Sequence, residues 1–184
     1  MLERTPLIIS DKIKELCAKI DKNSKPIFLD VEKLPHSLEL NCYENVANHI
    51  AKEGGKIQYG WQIWEWPGIM IEAEFHAVWV DKEGVFHDIT PKQIDRINKI
   101  LFLPDSSRTY EGHQIDNERM PIQDDPLIDE FIDNAHKHFL EMNRGELASF
   151  HGYVDLSPEM RIILIRQNQL MGTIQQKYPL DKFL

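Results

Sequence analysis

Residues 74–91 (EFHAVWVDKEGVFHDITP) contain two strand-forming runs joined by a short turn. Residues 81–84 (Asp-Lys-Glu-Gly) fit a type I turn that is closed by glycine in the left-handed conformation. In that register His76 lies diagonally across from Asp88, on the same face of the hairpin. A loop with one more residue would place these two side chains on opposite faces, and Gly84 favours the shorter loop. The segment therefore predicts a hairpin in which a histidine and a carboxylate can interact.

A cysteine precedes this hairpin at the predicted start of a helix. Residues 42–52 carry apolar side chains at helical spacing, and the Gly54 and Gly55 that follow are typical of a helix C-terminus. Cys42 falls in the first turn, where the positive end of the helix dipole favours a thiolate. A cysteine followed by a histidine and an aspartate is one way to build an activated thiol. We expect this helix to pack across the face of the hairpin that bears His76.

These residues resemble the transglutaminase-like branch of the papain-like, cysteine-dependent superfamily. The similarity covers about residues 36–105 and rests on Cys42 at a helix start, residues 76–79 (His-Ala-Val-Trp) and residues 88–90 (Asp-Ile-Thr). The resemblance implies an α+β fold in which an antiparallel β-sheet packs against helices. It also implies that Cys42 is the nucleophile, His76 the general base and acid, and Asp88 the orienting carboxylate.

The resemblance further implies a type of reaction. Members of the family form a thioester between the cysteine and an acyl group or amide, and then pass the acyl group to water or to an amine. The implied activity is that of a cysteine hydrolase or acyltransferase, and the implied substrate is an amide or thioester on a peptide or protein. The oxyanion would be stabilised by the Cys42 backbone N–H and a side-chain donor, either Asn41 or Gln62. Residues 61–68 are also similar to a group of uncharacterised bacterial proteins.

A cluster of tryptophans offers a different interpretation. Trp61, Trp64 and Trp66 could line a substrate groove, or they could belong to the core of the sheet. We take Trp61, Gln62, Trp64 and Glu74 as candidate substrate-binding residues, and the carboxylate of Glu74 would suit an amine or a cation. The alternative function is a non-catalytic binding protein on the same fold, which would hold a partner through a tryptophan-rich surface.

A metal site competes with the thiolate for the same side chains. The chemically adequate ligands are Cys42, His76, His87, Asp88 and His113. However, the adjacent His87 and Asp88 point to opposite faces of a sheet. The sequence also has no tight His-x-x-x-His or Cys-x-x-Cys pair. We therefore expect neither a metal nor another cofactor.

The composition limits the partners and the compartment. Acidic residues outnumber basic ones by 30 to 21, for a net charge of −9, and no cluster of Lys and Arg predicts a nucleic-acid partner. No apolar run approaches the roughly 18 residues of a membrane span. The first residues do not have the pattern of a secretory signal, so none is expected. The two cysteines, Cys17 and Cys42, are expected to be free thiols in a cytoplasmic protein, with Cys17 on the apolar stripe of a helix.

The remaining patterns predict one domain over residues 1–184. Its core would span about residues 26–105, and a helical C-terminal extension over about residues 124–184 would pack on this core. Residues 106–125 are polar and predict a long loop. The predicted helices cover residues 10–20, 126–143 and 158–171, and the predicted extended segments cover residues 26–31, 57–64, 69–80, 85–89 and 100–103.

Overall fold

The computed structural model describes residues 3–93, 97–149 and 154–179. In chain order the elements are α1 (Asp11–Ile20), β1 (Ile27–Asp30), α2 (Cys42–Glu53), β2 (Lys56–Trp66), β3 (Met70–Val80), β4 (Phe86–His87), β5 (Lys99–Pro104), β6 (Glu118–Pro121), α3 (Pro126–Met142) and α4 (Pro158–Lys177). A short 3-10 helix, Gly145–Ser149, lies between α3 and α4. The predicted α+β class, with an antiparallel sheet and a helical C-terminal part, is confirmed.

The six strands of the described chain form one sheet that is nearly closed into a barrel. Their order is β1-β5-β2-β3-β4, and β6 pairs with β3 along the edge that β4 also uses. Just beyond β1, Val31 forms a bridge with Asp88, and the Glu32 N–H donates to the Asp88 carbonyl at 2.8 Å. This bridge joins the first strand of the order to the last, and it fixes the backbone of Asp88 in the sheet.

One face of the sheet packs against α1. Ile13, Leu16 and Cys17 recur at helical spacing in α1 and are buried in this interface. The residues that they cover alternate along β2 and β3, because successive side chains of a strand point to opposite faces. The buried residues of these two strands in the interface are Trp61, Ile63, Ile71, Ala73 and Phe75.

The turn between β3 and β4 has the geometry that the sequence predicts. Gly84 has a φ of +87°, in the left-handed region that glycine adopts without steric cost. The Asp81 N–H donates to the Val85 carbonyl at 3.0 Å, and β4 continues the pairing in the same register. This is the register that places His76 diagonally across from Asp88, so the prediction from Gly84 is confirmed.

Helix α2 begins at Cys42, as predicted, but it packs on the face of β3 opposite to His76, which is the face that α1 also covers. Cys42 and Val46 are buried against Ala77 and Ile89. Ala77 and His76 are neighbours on one strand and therefore lie on opposite faces. Since Ala77 is small and apolar, it lets the helix approach the sheet closely, whereas His76 is polar. The predicted packing of α2 across the His76 face is therefore wrong.

The segment that was predicted as a long loop, residues 106–125, contains strand β6. Arg119 pairs with Glu72 of β3, and their side chains form an ion pair at 2.8 Å. The next residue, Met120, is buried in the core. The four residues of β6 have too little apolar alternation to predict a strand, because this pairing depends on an edge of β3 that local sequence cannot reveal.

The C-terminal helices pack on the end of the β2–β3 hairpin. Ile128 and Phe131 of α3, together with Leu170 and Ile174 of α4, form one buried cluster with the hairpin end. The hairpin contributes Trp66, Ile69 and Met70 to this cluster. Within the parts of the chain that the structure describes, no helix has both the length and the apolar character to cross a membrane.

Gly60 permits a close approach between β2 and β5. A Cβ atom at this position would lie 2.3 Å from the Leu103 carbonyl oxygen and 2.6 Å from Cζ of Phe102. We expect Gly60→Ala to lower the free energy of unfolding by about 1–3 kcal/mol, because the strands must move apart, and chemical denaturation would measure this loss. The matched control is Gly172→Ala in α4, where no described atom would lie within 4 Å of the new Cβ. It should raise the same free energy by about 0.5–1 kcal/mol, and equal losses in both variants would contradict the packing described for Gly60.

Candidate active site

A cleft of about 1060 Å³ lies between the sheet and the C-terminal helices. Its sheet side includes Cys42 at the start of α2 and His76 of β3, and its helix side includes Phe139 of α3 and Leu164 of α4. Asp88 is fully buried and contacts His76. The fold thus places Cys42 and His76 on one side of one cleft, with Asp88 buried in contact with His76.

His76 and Asp88 form a buried hydrogen-bonded pair. Nε2 of His76 lies 3.1 Å from Oδ1 of Asp88. An ionised carboxylate only accepts hydrogen bonds, so Nε2 carries a proton and donates it to Asp88. The other ring nitrogen, Nδ1, is then the atom that can exchange a proton with a thiol or a substrate.

The electrostatic surroundings of His76 favour its protonated form. Burial, the largest influence, lowers the pKa of His76, and the positive charge of Lys92 lowers it further. The negative charges of Cys42 and Asp88, together with the hydrogen bond to Asp88, outweigh both and raise the pKa of His76 to about 9. At neutral pH the imidazole can therefore hold a proton in the cleft that Cys42 also lines.

Asp88 is fixed and stays ionised. Its Oδ1 also accepts a hydrogen bond from the Thr90 N–H at 3.2 Å. Burial raises the pKa of Asp88, but the charges of His76 and Lys92 and their contacts with the carboxylate hold that pKa below its ordinary range. A buried carboxylate of this kind can fix both the orientation and the tautomer of an imidazole.

Hydrogen bonds hold both ends of α2 against β3. Near its start the Tyr43 hydroxyl donates to the Phe75 carbonyl at 3.2 Å, and at its end Nε1 of Trp79 donates to the Gly54 carbonyl at 2.9 Å. Phe75 lies in a stretch of β3 that pairs with neither β4 nor β6. The start of α2 therefore lies at a gap in the edge of the sheet, which lets Cys42 reach the cleft although the body of the helix covers the other face.

The start of α2 also provides backbone donors. The first hydrogen bond within the helix runs from the Asn45 N–H to the Asn41 carbonyl at 2.9 Å, so the Cys42 N–H has no acceptor within the helix. The Asn41 side chain does not cap the helix and donates instead to Glu44 at 2.8 Å. Uncapped N–H groups and the helix dipole both stabilise negative charge near the Cys42 sulfur.

Asn45 connects the segments that carry Cys42 and Asp88. Its side chain exchanges two hydrogen bonds with the Leu38 backbone, at 2.9 and 2.7 Å, and its Nδ2 lies 3.3 Å from the Thr90 hydroxyl. It thereby links the loop before Cys42 to the strand end that follows Asp88. The sequence analysis missed this residue, because one asparagine on a helix gives no sign of what it contacts.

The backbone is strained just before Cys42, the predicted nucleophile. Leu40 has a φ of +59°, which leucine rarely adopts, and its side chain lines the cleft while remaining 76% exposed. Such strain concentrates at functional sites, where the surrounding structure maintains it. Leu40 therefore offers an apolar contact at the mouth of the cleft, two residues before Cys42.

The second cysteine has very different surroundings. Cys17 is buried in the core with α1, as predicted. Burial raises the pKa of the Cys17 thiol to about 11, and a backbone hydrogen bond offsets only part of this effect. Cys17 is therefore an internal reference for an unreactive thiol.

Lys92 is a further charged group at the site, and the sequence analysis missed it. Its Nζ lies 2.7 Å from Oδ2 of Asp88, 2.9 Å from Oε1 of Gln62 and 3.5 Å from Nε2 of His76. The contact with Oδ2 is an ion pair without the alignment of a hydrogen bond. Lysine is almost always exposed, so a single lysine in a sequence does not predict a buried one.

The contact with Lys92 determines the orientation of the Gln62 amide. An ammonium group only donates, so the atom of Gln62 that faces Lys92 is the carbonyl oxygen. The amide nitrogen, Nε2, is then buried without a hydrogen-bond partner among the described residues, in a side chain that lines the cleft. Of the two predicted oxyanion donors, Asn41 is already bonded to Glu44. Gln62 is therefore the better candidate.

The structure separates the predicted substrate-binding residues into two groups. Gln62, Trp64 and Glu74 line the cleft, where Nε1 of Trp64 donates to Glu74 at 2.7 Å. Trp61 instead lies in the core, and its Nε1 donates to Asp105 at 3.0 Å. Alternation along β2 is the reason, since Trp61 points toward α1 while Gln62 and Trp64 point into the cleft.

The other residues weighed as metal ligands lie apart from the Cys42 cleft. His87 contacts Asp81 and Glu32, and Nδ1 of His113 lies 3.2 Å from the Ala148 carbonyl. Among the described residues, no three side chains of His, Cys, Asp or Glu are grouped so that they could hold a metal ion.

Comparisons with protein-family models, curated proteins and solved structures found no match for this chain.

Proposed function

We propose that this protein is a cysteine-dependent hydrolase or acyltransferase that acts on an amide or a thioester. Cys42 would be the nucleophile, His76 the general base and acid, and Asp88 the orienting carboxylate. One observation carries the proposal: the buried His76–Asp88 pair adjoins a cleft that also contains Cys42, the first residue of a helix. The sequence resemblance to the transglutaminase-like branch supports the same assignment.

The arrangement of Cys42, His76 and Asp88 suits an acyl transfer that proceeds in two half-reactions. In the first, the Cys42 thiolate attacks the carbonyl carbon of the substrate, and the negative oxygen that forms accepts hydrogen bonds from Gln62 Nε2 and the Cys42 N–H. The bond to the leaving group then breaks, and the imidazolium of His76 gives its proton to the departing amine or thiol. The product of this half is a thioester on Cys42.

In the second half, His76 takes a proton from water or from an incoming amine as that group attacks the thioester. Collapse of the new tetrahedral species releases the acid or the new amide. The leaving sulfur departs as a thiolate, and His76 is again an imidazolium, so the site returns to its starting state. Asp88 keeps its charge throughout and stabilises each imidazolium that forms.

The placement of the tryptophans disfavours the alternative of a tryptophan-rich binding surface. Trp61 and Trp66 are buried, and Trp66 packs against Phe131 of α3. Trp79 contacts His49 and bonds to the end of α2. Since only Trp64 of these side chains lines the cleft, they do not form a common surface for a partner.

Acylation by p-nitrophenyl acetate tests the proposal without knowledge of the natural substrate. We expect a burst of p-nitrophenolate whose amplitude matches the protein concentration, followed by slower turnover as the acetyl thioester hydrolyses. Peptide mass spectrometry should locate the acetyl group on Cys42. A primary alkylamine that speeds the second phase and becomes acetylated would identify an acyltransferase, and one without effect would identify a hydrolase.

The two cysteines provide the matched controls. Cys42→Ser should abolish the burst, while Cys17→Ser should keep its amplitude, because Cys17 lies in the core. A burst that persists in Cys42→Ser, or an acetyl group found only on surface lysines, would overturn the proposal.

A further inference from the structure

Lys92 is a buried ammonium group that the proposed acyl transfer does not consume. It is 8% exposed and contacts Asp88, Gln62 and His76. Burying a lysine is unfavourable unless its charge is paired and its protons are bonded. Asp88 already has one partner in His76, and Lys92 is a second, which also helps to hold the pKa of Asp88 low. The burial of the Lys92 charge is therefore best explained by a role of this lysine at the site itself.

We propose that Lys92 is a positioning residue, which holds the oxygen of the Gln62 amide so that its N–H stays free to donate, and which balances the charge of Asp88 beside His76. The proposal rests on the proposed function, since it takes Gln62 Nε2 as the donor to the acyl oxyanion. Without the ammonium group the Gln62 amide could turn, and its oxygen could then face the developing negative charge. With Lys92 in place the amide oxygen is engaged, so the unpaired N–H is the part of the amide that remains to bind a substrate oxygen.

Lys92 also sets how readily His76 gives up its proton. The charged groups that act on His76 are Cys42 from α2, Asp88 from the segment after β4, and Lys92. Among the described residues, the Phe102 ring of β5 also contacts His76, with its centroid 6.4 Å from that of His76, and the neutral Gln62 of β2 contacts Lys92. Removing the positive charge of Lys92 leaves two negative partners, so His76 should keep its proton to higher pH.

The test compares two reactions of Cys42 in Lys92→Met. Acylation by p-nitrophenyl acetate passes through an oxyanion, whereas alkylation by iodoacetamide displaces iodide from a saturated carbon and forms none. We expect acylation to slow by about 100-fold, as for loss of one oxyanion donor, and alkylation to change by far less. In histidine-labelled protein followed by NMR, the His76 resonance should titrate at higher pH than in wild type.

Three further variants make the result specific. Lys92→Arg keeps the charge but changes the geometry, so acylation should slow while the His76 titration stays near that of wild type. In Lys92→Met/Gln62→Ala, acylation should be no slower than in Gln62→Ala, because both changes remove the same donor. Lys99→Met removes an exposed lysine that pairs with Asp30 at 3.4 Å. It should change neither the acylation rate nor the pH at which His76 titrates.

A purely structural lysine would give a different pattern. Acylation and alkylation would slow by the same factor in Lys92→Met, and the His76 titration would not move. That result would overturn the proposal. If circular dichroism shows that Lys92→Met does not fold, Lys92→Arg takes its place in the test. Equal slowing of acylation and alkylation in Lys92→Arg would likewise overturn the proposal. A wild-type protein that is not acylated at Cys42 would refute the proposed function, while the His76 titration in Lys92→Met would still test the charge of Lys92.

Discussion

His76→Ala is expected to slow the acylation of Cys42 by p-nitrophenyl acetate by about 1000-fold near neutral pH, within the range that general acid–base catalysis contributes. The imidazole lines the same cleft as Cys42 and can take the thiol proton and keep it, because Cys42 and Asp88 hold the pKa of His76 well above its usual value. Without this base, the Cys42 thiol must give its proton to solvent before the sulfur can attack. The burst phase of p-nitrophenolate release measures the rate directly.

His87→Ala is the matched control for this prediction. His87 also contacts two carboxylates, those of Asp81 and Glu32, but it does not line the cleft. Its replacement should leave the acylation rate within a factor of about two of wild type, since no interaction with the reacting groups is lost. Equal slowing in His76→Ala and His87→Ala would mean that loss of stability, not loss of a base, explains the result.

Gln62→Ala is expected to slow acylation by about 100- to 1000-fold, the usual cost of removing one oxyanion donor. Alkylation of the same thiol by iodoacetamide should be nearly unchanged, because that reaction forms no oxyanion. The ratio of the two rate constants in each variant is therefore the informative quantity. It cancels any general change in the reactivity of Cys42.

Asn41→Ala tests the other side-chain donor to the oxyanion that the sequence predicted. Its amide is engaged by Glu44, so this variant should keep the wild-type ratio of acylation to alkylation. If Asn41→Ala lowers the ratio and Gln62→Ala does not, the oxyanion is held at the start of α2, and the assignment of Gln62 is wrong.

The parts of this site that the sequence predicted depend on local rules. Gly84 favours one turn type, and that turn fixes which residue of β4 faces which residue of β3. The glycines after α2 and the apolar spacing within it place Cys42 in its first turn. In both cases residues close together in the chain decide the outcome, so the sequence predicts Cys42 at the start of α2 and His76 diagonally across from Asp88.

The parts that the sequence did not predict depend on contacts between distant elements. The choice of face for α2 follows from how closely the helix can approach Ala77, and the inward position of Trp61 follows from where α1 covers the sheet. Lys92 is buried because Asp88 and Gln62 surround it in space. The periodicity and spacing of residues in a single sequence do not predict such contacts between distant elements.

The central claim concerns the Cys42 thiol and its partner His76. Since the pKa of His76 is raised to about 9, its imidazolium is present below that pH and is lost above it. Its effect on Cys42 should therefore be largest in neutral and mildly acidic solution and should vanish as the pH passes about 9. Cys17, whose pKa is raised to about 11 by burial, should stay unlabelled over the same range.

The most direct test is the rate of iodoacetamide labelling of each cysteine as a function of pH, read by mass spectrometry in wild type and in His76→Ala. We expect wild-type Cys42 to label selectively even near pH ~6, where an ordinary thiol with a pKa of about 8.5 is protonated. In His76→Ala the onset should move to higher pH, and the two profiles should converge above the pKa of His76. Asp88→Asn should give an intermediate profile, because the imidazolium loses its orienting carboxylate. Slow labelling of Cys42, with identical profiles in wild type and His76→Ala, would contradict the thiolate mechanism and favour a non-catalytic binding protein.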